Sequence, residues 1–319
     1  MASLPKARAL GRSGLSAPPL AFGGNIFGWT ADEATSFALL DRFVGAGFTL
    51  IDTADVYSKW VPGHQGGESE TIIGRWLARR GRRDDVLIAT KVGGEIGGHK
   101  GLSAAHIERA VDASLRRLQT DHIDLYQSHF EDLEAPADET FRAFARLIEK
   151  GKVRAIGTSN HSPARLKAML AHSAAHDLPR YETLQPLYNL YDREQFEREL
   201  RPICEAEKLG VLSYYALASG FLTGKYRSEA DVVASKRAKS NQKYLTDRGF
   251  RILGALDSVS ARCGVKPAQV ALAWVMAQPA VTAPIASATS AAQLDELIAA
   301  ATLVLDNDAL AELDRASAY

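Results

Sequence analysis

Residues 86–129 read VLIATKVGGEIGGHKGLSAAHIERAVDASLRRLQTDHIDLYQSH. The stretch opens on VLIATK (86–91), a short apolar run rich in branched residues, and closes on IDLYQSH (123–129), a second such run. Between them lies SAAHIERAVDASLRRL (103–118), in which Ile107, Val111, Ser114, Leu115 and Leu118 fall on one face of a helix. Ser103 stands where an N-cap is expected. Strand, helix, strand is a crossover unit, and a helical crossover makes its two strands parallel.

The same alternation extends in both directions. Further strand runs are LAFGG (20–24), FTLID (48–52), VRAIG (153–157), TLQP (183–186), VLSYY (211–215) and VTAPIA (281–286), with helical patterns such as DEATSFALLDRFVGAG (32–47) between them. Gly45, Gly47, Gly81, Gly151 and Gly210 close helical segments, where a left-handed residue is expected. Eight units in series give a parallel sheet. No GxGxxG follows any strand, which argues against an open doubly wound sheet and for a closed (β/α)8 TIM barrel, one domain over residues 1–319. RALGRSGLSAP (8–18) reads as a β-hairpin plugging one end. The polar segment 223–246, after the seventh strand, is the expected mobile functional loop.

Composition narrows the partners. With 38 basic and 38 acidic residues the chain is formally neutral, which argues against a general nucleic-acid or anionic-membrane surface. Cys204 and Cys263 are the only cysteines and form no CxxC pair, as in a reducing compartment. The N-terminal residues hold no apolar signal core, and no run approaches the roughly 18 apolar residues of a membrane span, so a cytoplasmic location is expected. His172 and His176 are spaced i, i+4 but lack the glutamate of an HExxH motif, so no metal is expected. KRAK (236–239) reads as a solvated or phosphate-facing loop.

Reactive side chains of such a barrel belong at the C-terminal ends of its strands. Those ends carry Asn25, Asp52 with Tyr57 beyond it, Lys91, His129, Ser159 with Asn160, Gln185 and Tyr214. Each has a bland explanation: a loop cap for Asp52, a surface tyrosine, a snorkelling lysine, a satisfied core histidine. Together, however, they make an acid catalyst. An ammonium at Lys91 favours the phenolate and so acidifies Tyr57, Asp52 pairs the cation, and a neutral His129 can donate to a carbonyl oxygen. Asn25, Trp29, Trp60 and Phe130 are candidate pocket residues, and Lys59, Glu131 and Asp132 at the mouth lean towards a polar substrate.

The segments LIDTADVYS (50–58), LIATKVG (87–93), IDLYQSHF (123–130), GKVRAIGTSN (151–160), LQPLYN (184–189) and YALASGFLTGKY (215–226) resemble, in order, the signature blocks of the aldo-keto reductase superfamily. The similarity is to the branch that includes sugar and aldehyde reductases and potassium channel β subunits. It implies a nicotinamide cofactor bound in an extended pose, a catalytic tetrad of Asp52, Tyr57, Lys91 and His129, and hydride transfer to a carbonyl carbon. By the same resemblance Ser159, Asn160 and Gln185 hold the nicotinamide amide. Tyr214 stacks on its ring, and Leu217, Ser219 and Gly220 lie along the pyrophosphate.

NADP(H) is the cofactor the resemblance implies, with NAD(H) as an alternative. Ser287 and Gln293 stand where a basic residue commonly meets the 2′-phosphate, and no lysine or arginine lies between Lys266 and Arg315. Lys225, Arg227, Lys236, Arg237 or Lys239 would have to reach over, helped by Ser287, Thr289 and Ser290 at a helix N-terminus. The expected activity is reduction of a small or sugar-like carbonyl compound. The alternatives are an NAD-dependent dehydrogenase of a sugar or alcohol and a cofactor-holding regulatory subunit. The partner expected is a small-molecule carbonyl, with neither nucleic acid nor membrane, and the oligomeric state is open.

Overall fold

The computed structural model describes residues 5–228, 230–231 and 241–319. Its centre is a closed barrel of eight parallel strands: β3 (Ala21–Gly23), β4 (Leu50–Asp52), β5 (Leu87–Val92), β6 (Ile123–Ser128), β7 (Val153–Ser159), β8 (Tyr181–Gln185), β9 (Gly210–Ser213) and β10 (Val281–Ala286). Each of the eight expected runs supplies one strand, and β10 closes the ring by pairing with both β9 and β3. Around it lie α1 (Glu33–Gly45), α2 (Glu68–Arg80), α3 (Ala104–Leu118), α4 (Ala137–Glu149), α5 (Pro163–Ala175) and α6 (Arg201–Glu207). The segment between β9 and β10 carries α7 (Asp247–Cys263) and α8 (Pro267–Ala277), and α9 (Ala291–Ala300) and α10 (Asn307–Ser317) follow the last strand.

The period of two decides what the barrel encloses. On β5, Leu87 and Ala89 join the inner cluster and Lys91 continues that face, while Ile88 and Val92 pack outward under the helices. On β4, Leu50 is inside and Asp52 shares its face. Apolar inner residues therefore fill the N-terminal half of the barrel, and charged ones crown the C-terminal half.

The hairpin of β1 (Arg8–Ala9) and β2 (Ser16–Ala17) plugs the N-terminal end, as expected. Its Leu10, Leu15 and Ala17 join the inner cluster with Leu50, Ala89, Leu125 and Leu212. Gly210 is required by this contact: a Cβ there would lie 2.8 Å from the Gly11 nitrogen. It opens β9 and is not the helix cap read from the sequence, for Lys208 (φ 54°) closes α6 in its place. Gly47, Gly81 and Gly151 do adopt the left-handed conformation, whereas Gly45 stays within α1. Ser103 makes no side-chain cap; the first amide of α3, at Ala104, donates instead to Glu139 of α4 (2.8 Å).

Candidate active site

Asp52 ends β4, and Lys91 stands beside it on β5, fully buried. The lysine ammonium uses all three of its protons: Nζ donates to Asp52 Oδ2 (2.7 Å), the Thr53 carbonyl (2.8 Å) and the Tyr57 hydroxyl (3.1 Å). From the opposite side of the barrel Gln185 Nε2 donates to Asp52 Oδ1 (2.8 Å), so both carboxylate oxygens are satisfied. A buried ion pair persists only with such complete partnering, because desolvating two charges costs several kcal/mol each.

Tyr57 is delivered by the loop after β4. Its carbonyl accepts from the Gly67 and Ser69 amides (2.9 and 3.3 Å) at the start of α2. Ser58 donates through Oγ to the Phe27 carbonyl (2.8 Å) and through its amide to Glu68 Oε2 (3.2 Å). The phenol is thereby turned back onto Lys91. Burial raises its pKa above the ordinary tyrosine value, Lys91 pulls it down, and Asp52 pushes it up again. The net direction is upward, which corrects the sequence expectation of an acidified tyrosine: Lys91 acts with the expected sign, but desolvation is larger. Burial opposes the Lys91 charge as well, yet Asp52 and Tyr57 outweigh it and hold its pKa above that of a solvated lysine. The site at rest thus holds a protonated phenol against a permanent cation.

His129 follows β6, its amide bonded to the Val92 carbonyl (2.8 Å). Its ring centroid lies 6.0 Å from that of Tyr57, and its other face stacks on Phe130 at 4.5 Å. Burial and the Lys91 charge push its pKa down to about 3, so the imidazole is neutral. Its Nδ1 is buried without a hydrogen-bond partner.

The polar residues on the next strands join the same network. Ser159 Oγ donates to the Gln185 carbonyl (2.8 Å), and Asn160 Nδ2 to the His129 carbonyl and Ser159 Oγ (both 3.0 Å). Tyr214 donates to Asn160 Oδ1 (2.8 Å). Backbone strain concentrates here. Of the seven non-glycine residues in the left-handed region among the described residues, Gln119, Asp177 and Lys208 sit at helix C-termini, where that conformation is routine. The other four, Asn160, Tyr215, Ala218 and Ser219, follow strand ends at the barrel mouth, and Gly220 extends the run. Each such residue costs on the order of 1–3 kcal/mol, and strain of this kind collects at ligand sites.

The chain matches the aldo/keto reductase family over residues 19–318. It belongs to that family. Among the relatives of this aldo/keto reductase are the "Uncharacterized oxidoreductase YrpG" of Bacillus subtilis (strain 168), 37% identical over 96% of this chain and 94% of the relative. The "Probable voltage-gated potassium channel subunit beta" of Oryza sativa subsp. japonica is 34% identical over 90% and 88%. The "Norsolorinic acid reductase" of Aspergillus flavus is 31% identical over 96% and 79%.

The residues expected at the cofactor's far end are more dispersed. Ser287 Oγ lies within hydrogen-bond reach of the Gly23 carbonyl (2.7 Å) and Asn25 Oδ1 (2.8 Å), tying β10 to the turn after β3. Gln293 Oε1 accepts from the amide and hydroxyl of Thr289 (2.9 and 3.0 Å), and Ser290 caps α9. Lys225 reaches back over the Gly220 backbone and sits 4.9 Å from the Tyr226 ring centroid. Arg227 makes a two-pronged pair with Asp257 of α7 (2.8 and 2.7 Å). Lys236, Arg237 and Lys239 lie outside the described residues.

Around the Tyr57 hydroxyl the rings form an arc. Trp29 meets Trp60 edge to face at 5.8 Å, Trp60 meets Tyr57 at 5.6 Å, and the series continues through His129 to Phe130. Trp60 is 48% and Phe130 47% exposed, so both rings reach solvent. Sequence reasoning passed over Gln127, the Thr53 carbonyl, Asp55 and the exposed Tyr215. Gln127 could have been found, since it precedes His129 by two residues on the inward face of β6 and lies 3.5 Å from Gln185 Nε2. Among the described residues no group of three His, Cys, Asp or Glu could hold a metal, and His172 stacks on His176 at 4.1 Å.

Proposed function

We propose that this aldo/keto reductase reduces an aldehyde or ketone at the expense of NADPH, with Tyr57 as the proton donor. The observation that carries the reading is the Lys91 ammonium, bonded to Asp52 and the Tyr57 hydroxyl together beside a neutral His129. A bound nicotinamide would supply hydride to the carbonyl carbon. Tyr57 passes its proton to the carbonyl oxygen, Lys91 compensates the phenolate left behind, and His129 orients the oxygen by a hydrogen bond. Ser159, Asn160 and Gln185 suit the carboxamide of the nicotinamide, carrying donors and acceptors at two neighbouring strand ends, with Asn160 held in the left-handed region. The full tetrad favours turnover over the regulatory role suggested by the name of the channel-subunit relative.

At the mouth, the charges that leaned towards a polar substrate are already engaged. Lys59 pairs with Glu95, Glu131 accepts from Ser162 (2.8 Å), and Asp132 accepts from the Leu102, Glu134 and Ala135 amides. What faces the entering substrate is the aromatic arc, which suits a carbonyl on an apolar or aromatic body better than a sugar. NADH is the second reading of the cofactor, favoured by the engagement of Arg227 with Asp257 and by the lack of any Lys or Arg between Lys266 and Arg315.

Quenching of tryptophan fluorescence by NADPH and by NADH tests the cofactor, and Tyr57→Phe tests the donor. The variant is expected to bind cofactor as the wild type does and to lose ~10²–10⁴-fold in kcat with benzaldehyde. Turnover at the wild-type rate would reject Tyr57, and quenching by neither nucleotide would reject the reading as a whole.

A further inference from the structure

Behind the segment that carries Tyr57 sits a carboxyl that the reaction does not use. Asp55 is 1% exposed, and neither of its side-chain oxygens has a hydrogen-bond partner. The charged groups packed round it are committed elsewhere. From α2, Glu70 is fully buried, accepting from Thr90 Oγ1 (2.6 Å) and from Arg117 Nε (2.7 Å). From α3, Arg117 spends its charge on that glutamate. From β5, Lys91 has no proton left after Asp52, Thr53 and Tyr57. From β6, the Tyr126 hydroxyl is close enough to feel Asp55 and is itself buried without a partner. The pocket therefore holds two carboxyls, and its cations are already paired.

We infer that Asp55 is a positioning residue for Tyr57: as a neutral acid its carboxyl packs quietly behind the catalytic segment, and on ionising it displaces that segment. The inference rests on Tyr57 as proton donor. Two backbone links carry the coupling. The Asp55 amide donates to the Lys91 carbonyl (3.3 Å), and the Tyr57 amide donates to the Ala54 carbonyl (3.2 Å). A second anion beside Glu70 meets one uncommitted donor, the Tyr126 hydroxyl, and no free cation, so relief comes by movement of residues 54–57 or by entry of water, and either takes the phenol off Lys91. Burial, then the Glu70 charge, raise the Asp55 pKa to about 8, while Arg117, Lys91 and the neighbouring Val56 amide pull it down. The switch from support to displacement thus falls just above neutral pH, below the titration of Tyr57 itself.

The test compares wild type and Asp55→Asn from pH 6 to pH 10, using NADPH with benzaldehyde. In the wild type kcat is expected to fall about tenfold between pH 7 and pH 9, the loss of the neutral form of a group titrating near 8. The amide variant should keep its neutral-pH kcat and lack that limb, with NADPH binding unchanged in both. Two readouts do not need turnover. Trp60, whose ring meets Tyr57, should change its emission with a midpoint near pH 8 in the wild type but not in Asp55→Asn. A protonated-carboxyl stretching band should be present in the wild-type infrared spectrum at pH 7 and titrate away with the same midpoint. An alkaline limb retained in Asp55→Asn, or no protonated-carboxyl band at pH 7, overturns the inference. If benzaldehyde is not reduced but the fluorescence and infrared titrations appear, the reductase reading fails and the Asp55 device stands. If Asp55→Asn does not fold, the wild-type infrared titration decides.

Discussion

Replacing Lys91 by Met probes the centre of the site. Methionine fills the space of the lysine stem and removes the ammonium, leaving the buried Asp52 carboxylate with Gln185 Nε2 as its remaining donor. Removing one partner of a buried pair costs about 3–5 kcal/mol. Over 319 residues, at about 2.1 cal/mol/K each, the unfolding entropy is about 0.7 kcal/mol/K, so the midpoint should drop by about 4–8 °C at pH 7. Calorimetry of the wild type, Lys91→Met and Asp52→Asn/Lys91→Met at pH 7 measures this. The double variant, with no carboxylate left to strand, should recover at least half of the loss. A shift under about 1 °C for Lys91→Met at pH 7, or a double variant no more stable than Lys91→Met, would refute the reasoning.

Because the imidazole of His129 titrates near 3, kcat should show no acidic limb between pH 5 and pH 7.5. A limb with a midpoint near 6.5, abolished by His129→Gln, would mean that the histidine is cationic on part of its working range. For Asp55, the folded pKa of about 8 lies above the unfolded value of about 3.9, so the folded state binds the extra proton between those limits. Wild-type stability should therefore decline with rising pH relative to Asp55→Asn, by up to about 1.4 kcal/mol per unit from pH 5 to pH 7. Urea midpoints for the two proteins that run parallel across that range would count against a protonated Asp55.

The barrel was readable because its two governing periods are local. Eight branched runs separated by amphipathic segments specify strands and helices without knowledge of their neighbours, and the alternation on β5 predicts that Lys91 faces inward. The clustering of Asp52, Tyr57, Lys91 and His129 was readable for the same reason, each standing at or just beyond the end of a run. What escaped depends on partners distant in the chain. The net effect on Tyr57 is set by the burial of its phenol, which no residue type announces. The engagement of Arg227 by Asp257, of Lys59 by Glu95 and of Glu131 by Ser162 changes what the mouth offers a ligand. Asp55 reads in sequence as an ordinary loop aspartate. Its isolation comes from the fact that Glu70 has already taken Arg117, across a separation of 47 residues.

Burial gives the proposed chemistry a direction. In water an ammonium and a phenolate 4 Å apart attract by only about 1 kcal/mol, and at the lower effective dielectric of a protein site by about 4 kcal/mol. The desolvation that raises the Tyr57 pKa at rest is the condition that strengthens its attraction to Lys91 once the proton has left. Asp52 sets the balance, since it keeps the ammonium in the barrel while partly cancelling its pull on the phenol. On the proposed mechanism the resting site is armed with a proton, and its release is coupled to negative charge appearing on an oxygen beside Tyr57 and His129. A substrate that brings no such charge finds an ordinary buried tyrosine. One that does finds a donor whose conjugate base already has a cation within 3.1 Å.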